Sequence, residues 1–172
     1  MERDYDEVST GQILERSGVS RGALYHHFPS KLDLFRAVFD ASERRVIERI
    51  AGEMTEGMTP LEGLEFVAAA YLRRCETDEE LRRIGLTQSR AVLGWEGWRE
   101  AAKGLGVGLA LALVSAAIEA GELPPRDPET TAHVLLGALI EAAMLIVAAA
   151  DRTAARERSE VVIADLLEGL RR

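Results

Sequence analysis

From Val134 to Ala150 the chain reads VLLGALIEAAMLIVAAA, seventeen residues with one charge, Glu141. A surface helix keeps its apolar residues to one stripe, whereas here they run nearly all round. The segment must therefore span a membrane or be covered by several neighbours. A span needs ~20 apolar residues, and Glu141 would sit in mid-hydrocarbon. Burial is the better-supported reading, and no membrane partner is expected. The last segment, residues 154–170, carries a second stripe at Ile163, Leu166, Leu167 and Leu170. Two such helices exceed what one small subunit can cover. A homodimer joined through the last two helices as a four-helix interface is expected.

The rest of the chain is also helical in character. Three of its five prolines cluster at 124, 125 and 128, and Ala, Leu, Glu and Arg are abundant elsewhere. β-branched runs of period two are nearly absent, so the fold class is all-α. One cysteine, Cys75, excludes a disulfide framework and a Cys-rich zinc site, and fits a reducing cytoplasm. No basic stretch precedes an apolar run at the start, so no secretory leader is expected.

Start and stop signals outline roughly seven helices. Thr10 is expected to cap a short run over 11–17 that ends at Gly18. Residues 20–28 form a second short run, stopped by Pro29. Ser30 caps a long helix with apolar positions at Phe35, Val38, Phe39, Ser42, Val46 and Ile50. Thr59-Pro60 opens the next, to about Glu76, and Asp78 caps a shorter one. Residues 85–94 are ambiguous. One long helix is expected over 95–121, then helices over 128–151 and 154–170. Gly104-Leu105-Gly106-Val107-Gly108 lacks the preceding strand and the Lys-Ser/Thr ending of a phosphate loop. Close helix–helix approach at Gly104 and Gly108, which share a face, is the expected use of these glycines.

The informative stretch is Ser9 to Phe35, STGQILERSGVSRGALYHHFPSKLDLF. It is a short helix, a three-residue turn through Gly18, and a second short helix. Ile13 and Leu14 supply the apolar positions of the first helix, Val19 that of the turn, Leu24 and Phe28 those of the second. That is the pattern of a helix-turn-helix, whose second helix enters the DNA major groove. Thr10, Ile13, Gly18-Val19-Ser20, Leu24-Tyr25-His26-His27-Phe28, Ser30-Lys31 and Leu34-Phe35 resemble the DNA-binding motif of the tetracycline-repressor (TetR) family of bacterial transcriptional regulators. The remaining chain resembles that family in layout only.

The resemblance implies a DNA-binding set. Ser20, Arg21, Gly22 and Ala23 open the recognition helix. Arg21 suits a bidentate contact to guanine, Ala23 a thymine methyl, and Gly22 a close backbone approach. Tyr25, His26 and His27 would face phosphates, and Lys31 would add a charge beside a helix N-terminus. Thr10 would touch a phosphate or serve only as a cap, and Tyr25 could instead be a half-buried packing residue. His26-His27 is not a metal pair, because adjacent helical positions diverge by about 100° and no further ligand spacing accompanies them. The family carries a helix of roughly 15 residues before the motif, and here Met1 falls just past it. An internal start, a clipped boundary or a genuine loss would each produce this. In the last case DNA binding would weaken, leaving a ligand-binding or heterodimerising helical protein.

The resemblance divides the chain into a DNA-binding domain, residues 1–49, and a helical ligand-binding and dimerisation domain, residues 50–172. The second implies a small-molecule effector. Its candidate contacts are Phe66, Tyr71, Gln88, Trp95, Trp98, His133 and Glu141, aromatic or polar residues on apolar helices. Trp95 and Trp98, three apart, could equally be core. Glu141 needs a partner, which could be an arginine, a ligand amine or the other subunit. Cys75 as an oxidant sensor has only Arg73-Arg74 beside it. No nucleophile–His–acid constellation and no metal spacing occur, so neither an enzyme nor a cofactor is expected.

The net charge of −8 seems hostile to DNA until it is divided. Residues 1–49 carry −1 and residues 50–172 carry −7, while residues 10–36 hold four basic and two acidic side chains. The acidity belongs to the second domain. The expectation is a ligand-released repressor, binding a palindromic double-stranded operator as a homodimer.

Overall fold

The computed structural model describes residues 4–103 and 106–172, and among these no strand occurs. The opening is a 3-10 turn, Tyr5–Glu7. Helix α1 (Thr10–Ser17) is capped by Ser9, not by Thr10 as the sequence suggests. Ser9 Oγ accepts from Gln12 N at 3.2 Å, and the Gln12 side chain accepts from Ser9 N at 2.9 Å. Gln12 completes this reciprocal box and so moves the cap one residue back. The turn then needs Gly18, at φ 67°, where a β-carbon would clash. Ser20 caps α2 (Arg21–His27), and Pro29 forces Phe28 into extended backbone and ends it.

Helix α3 (Lys31–Gly52) is capped by Ser30 and buries Phe35, Phe39, Ser42, Val46 and Ile50, one stripe at spacings of three and four. Val38, expected on that stripe, is exposed instead, because at about 100° per residue it falls outside the edge of the arc those five residues occupy. The helix passes without a break from the helix-turn-helix into the core of the second half. Thr59, with Glu62 and Pro60, opens α4 (Pro60–Thr77), whose Leu61, Leu72 and Cys75 are fully buried. Helix α3 and three later helices, Gly106–Glu119, Pro128–Ala148 and Arg152–Gly169, pack against α4.

The ambiguous region resolves into a π-helical stretch, Leu81–Gln88, running into α5 (Ser89–Lys103). Its side chains bond back along the wider helix: Thr87 Oγ1 donates to Arg82 O and Ser89 Oγ to Gly85 O, at 2.9 and 2.6 Å. Gly94, at φ 68° and ψ 173°, bends α5 just before Trp95. Of the helix expected over 95–121, the end of α5 and α6 (Gly106–Glu119) are described, and what joins them lies outside the described residues. Gly104 lies outside the described residues. Gly108 has open space around it, and a β-carbon built on Gly106 would make only ordinary contact with Leu136, at 3.5 Å, so neither marks the expected close approach. A left-handed Gly121 closes α6, with Glu122 N donating to Ala117 O and Gly121 N to Ile118 O.

Asp127 and Pro128 open α7 (Pro128–Ala148), and Asp151 caps α8 (Arg152–Gly169). The apolar α7 lies between α6 and α8 and against α4. Arg156 of α8 ties back to Glu76 of α4 and to Glu160, each at 2.5 Å. One face of α7 and α8 stays uncovered, with Val134, Leu145 and Val162 exposed at 66%, 60% and 56%.

Candidate nucleic-acid interface and effector cavity

Because Leu24 is buried and Phe28 half-buried, α2 turns its remaining surface outward. Ser20, Arg21, Gly22, Ala23, Tyr25, His26 and His27 are all exposed, so the proposed DNA contacts share one accessible element. The Arg21 guanidinium lies 5.6 Å over the Tyr25 ring, and the Tyr25 hydroxyl donates to Thr10 Oγ1 at 3.5 Å. Thr10 and Tyr25 thus join the two helices at the outer surface. The His26 and His27 rings meet edge-on at 5.3 Å.

Lys31 stands apart from that group. Its ammonium lies 3.9 Å from the centre of the Tyr5 ring and donates to the Tyr5 carbonyl. The Tyr5 ring in turn meets Phe35 edge-on at 5.2 Å. The opening turn is held to the second half as well: Gln88 Nε2 donates to Asp4 Oδ1 at 2.8 Å, and Arg83 lies 3.5 Å from the same oxygen. Gln88, a candidate effector contact by sequence, serves here as a tie between the two halves.

A cavity of about 90 Å³ lies inside the second half, walled by α3, α4, the π-helical stretch and α5 to α8. Of the residues singled out by sequence, Tyr71 and Trp98 line it. Trp98 is 4% exposed, and its indole N–H lies 3.5 Å from Gly85 O. Phe66 and His133 are half-buried outside the cavity wall, Trp95 is exposed, and Glu141 is exposed on the uncovered face of α7. Glu141 therefore does not stand among apolar side chains of its own subunit, because the run turns that position outward.

The most unusual group in the wall is one the sequence did not single out, Glu43. Its Oε1 is fully buried and has no hydrogen-bond partner among the described residues. Burial, then the nearby Asp40 charge, pushes its pKa up to about 7. Burial also raises the Tyr71 phenol. Cys75, buried completely, is pushed up to about 12 by burial and then by Glu43, which leaves it a thiol and inert as a sensor. A signal for Glu43 was present: Phe39, Glu43, Ile47 and Ile50 repeat at spacings of four, four and three. They form one line along α3, and all four line the cavity.

The chain is similar to known proteins along most of its length. Residues 1–38 match the family model described as bacterial regulatory proteins, tetR family, and residues 61–170 that of the tetracyclin repressor-like C-terminal domain. A tetR-family transcriptional regulator from Pectobacterium atrosepticum is 30% identical with a TM-score of 0.77, covering 96% of this chain and 84% of that one. A transcriptional regulator, FadR from Bacillus subtilis, solved in complex with stearoyl-CoA, shares the fold at 19% identity and a TM-score of 0.67. That match covers 96% of this chain and 88% of the other. The nucleoid occlusion factor SlmA of Vibrio vulnificus is 32% identical over 77 residues, 45% of this chain and 39% of that protein's length.

Proposed function

The chain belongs to the tetR family of bacterial regulatory proteins, and from that premise we propose that it is a ligand-responsive repressor. Two copies bind a palindromic operator, and a small molecule in the cavity releases them. Residues 1–49 contact DNA, and residues 50–172 bind the effector and the second copy. Half-sites then lie about one helical turn apart, ~34–36 Å, or a multiple of it. The face of α2 supports the DNA contact, and the uncovered face of α7 and α8 supports the homodimer. A small-molecule effector accords with the Bacillus subtilis neighbour having been solved as a complex with stearoyl-CoA.

One observation carries the coupling. Lys31 opens α3, and Glu43 on the same unbroken helix, ~18 Å further on, lines the cavity. A ligand that moves this wall moves the mount of the recognition helix. The ties from Gln88 and Arg83 to Asp4 run in parallel, from the segment beside Gly85 to the opening turn. An effector releases DNA only if it favours the conformation whose recognition helices are out of register.

Fluorescence anisotropy with the intergenic DNA beside the gene tests the reading, over about 50 to 200 mM salt. Specific binding that weakens steeply with salt is the expected result. Its absence overturns the repressor and leaves a ligand-binding protein without DNA activity.

A further inference from the structure

The cavity wall has a chemical bias that narrows its occupant. Its only charged side chain among the described residues is Glu43, set among aliphatic and aromatic groups that include Phe39, Tyr71, Trp98 and Leu139. Among the described residues, the carboxylate oxygen that faces Gly85 has no hydrogen-bond partner. A buried carboxylate in this condition is costly until a donor or a positive charge reaches it. An anionic ligand would set a second negative charge against it, and a neutral hydrocarbon would leave it orphaned.

We propose that the cavity takes a small lipophilic cation, an amine or quaternary ammonium on a short alkyl or single-ring body, with Glu43 as its counter-charge. Size follows from the volume. About 90 Å³ is room for roughly six to nine waters at the ~10–15 Å³ that each requires, which suits a short chain better than a long acyl group. The rings of Phe39 and Tyr71 line the same space and favour a cation further, while the Trp98 ring already carries Arg90 at 4.8 Å. The titratable group that acts on Glu43 is Asp40 on its own helix, and Glu43 in turn raises Tyr71 and Cys75 on α4; the π-helical stretch presents Leu81 and Gly85. On α5 the Arg90 guanidinium is engaged with the Trp98 ring, 4.8 Å from its centre.

The proposal rests on the cavity being the effector site, and the two are tested apart. Isothermal titration calorimetry on the full chain compares butyltrimethylammonium, butan-1-ol and butanoate, which share a body and differ in head charge. The cation is expected to bind at least about tenfold more tightly than the alcohol, with butanoate weakest. Glu43→Gln should bring cation and alcohol within about threefold of each other and leave the alcohol unchanged. The quaternary head does not titrate, so wild-type affinity for it should rise with pH through the region around 7, and that rise should vanish in Glu43→Gln. Equal binding of cation and alcohol, binding of none of the three, or a preference that survives Glu43→Gln overturns the proposal. Anisotropy on operator DNA separates the underlying reading. Cation binding that leaves DNA affinity unchanged removes the effector role but not the cation site. Release by butanoate and not by the cation does the reverse.

Discussion

The Oε1 atom of Glu43 occupies the space that a side chain at position 85 would need. A β-carbon built on Gly85 comes within 2.5 Å of that oxygen and 2.9 Å of Leu81 Cδ1. Both obstructing atoms are ends of flexible side chains, and alanine gains about 0.8–1.0 kcal/mol of helix propensity over glycine. Gly85→Ala is therefore expected to change global stability by less than about 1 kcal/mol while displacing the Glu43 carboxylate. Thermal unfolding should show a small shift, and calorimetry should show cation selectivity falling towards that of Glu43→Gln. Unchanged selectivity would mean that Glu43 does not need the glycine.

Glu43 also makes stability depend on pH. Its folded pKa is raised, to about 7, from an ordinary carboxylate value near 4.5. The folded state thus binds the proton more tightly, and stability falls as pH rises from about 4.5 through about 7. Glu43→Gln should remove that slope. The difference between variant and wild type should grow in the variant's favour, by on the order of 2–3 kcal/mol, from acid to slightly alkaline pH. Urea unfolding of both proteins across that range checks it, since all other titrations cancel in the difference.

The helix-turn-helix was legible because its signals are local. Ser20, Ser30, Gly18 and Pro29 each act on the backbone within four residues of themselves, and all four do in the structure what their chemistry implies. The cavity was much less legible. Its wall draws on seven helical segments, and a residue such as Glu43 gains its meaning from what lies across from it. The π-helical stretch and the bend at Gly94 were hidden for the same reason. Gly85 is compatible with an ordinary helix, and the tightest constraint on it is a carboxylate 42 positions earlier in the chain. Trp95 and Trp98 look equivalent by spacing, yet Trp95 is exposed and Trp98 buried. Both stack under Arg90, at 5.5 and 4.8 Å.

Arg21 and Lys31, both proposed to touch DNA, should fail in different ways. Arg21 is exposed and held only by the Tyr25 ring, so Arg21→Ala should leave thermal stability unchanged. Operator affinity should drop by about 1–3 kcal/mol, with relaxed preference at one base pair. Lys31 binds the Tyr5 carbonyl and covers its ring, so Lys31→Ala should also lower stability, by about 1–2 kcal/mol. Its effect on DNA should be uniform across sequences, with a shallower salt dependence. Melting curves and anisotropy on matched and mismatched operators separate the two. A Lys31→Ala protein as stable as wild type would deny the tie to Tyr5 any weight.

The uncovered face of α7 and α8 allows a test that leaves the protomer intact. Leu145 and Val162 are exposed at 60% and 56% in the single chain, so a charge at either meets water and leaves the core undisturbed. If two copies join through this face, symmetry brings each residue back onto the same interface. A Leu145→Glu/Val162→Glu double variant then sets several carboxylates in an apolar contact, where unpaired charge is strongly unfavourable. Sedimentation should find a dimer for wild type and a monomer for the variant, with unchanged helical circular dichroism. Wild-type thermal stability should rise with protein concentration, because association stabilises the folded state by mass action, and the variant's should not. Operator affinity should collapse with the dimer, since a single recognition helix keeps only half of the contacts. A variant that remains dimeric would place the interface elsewhere.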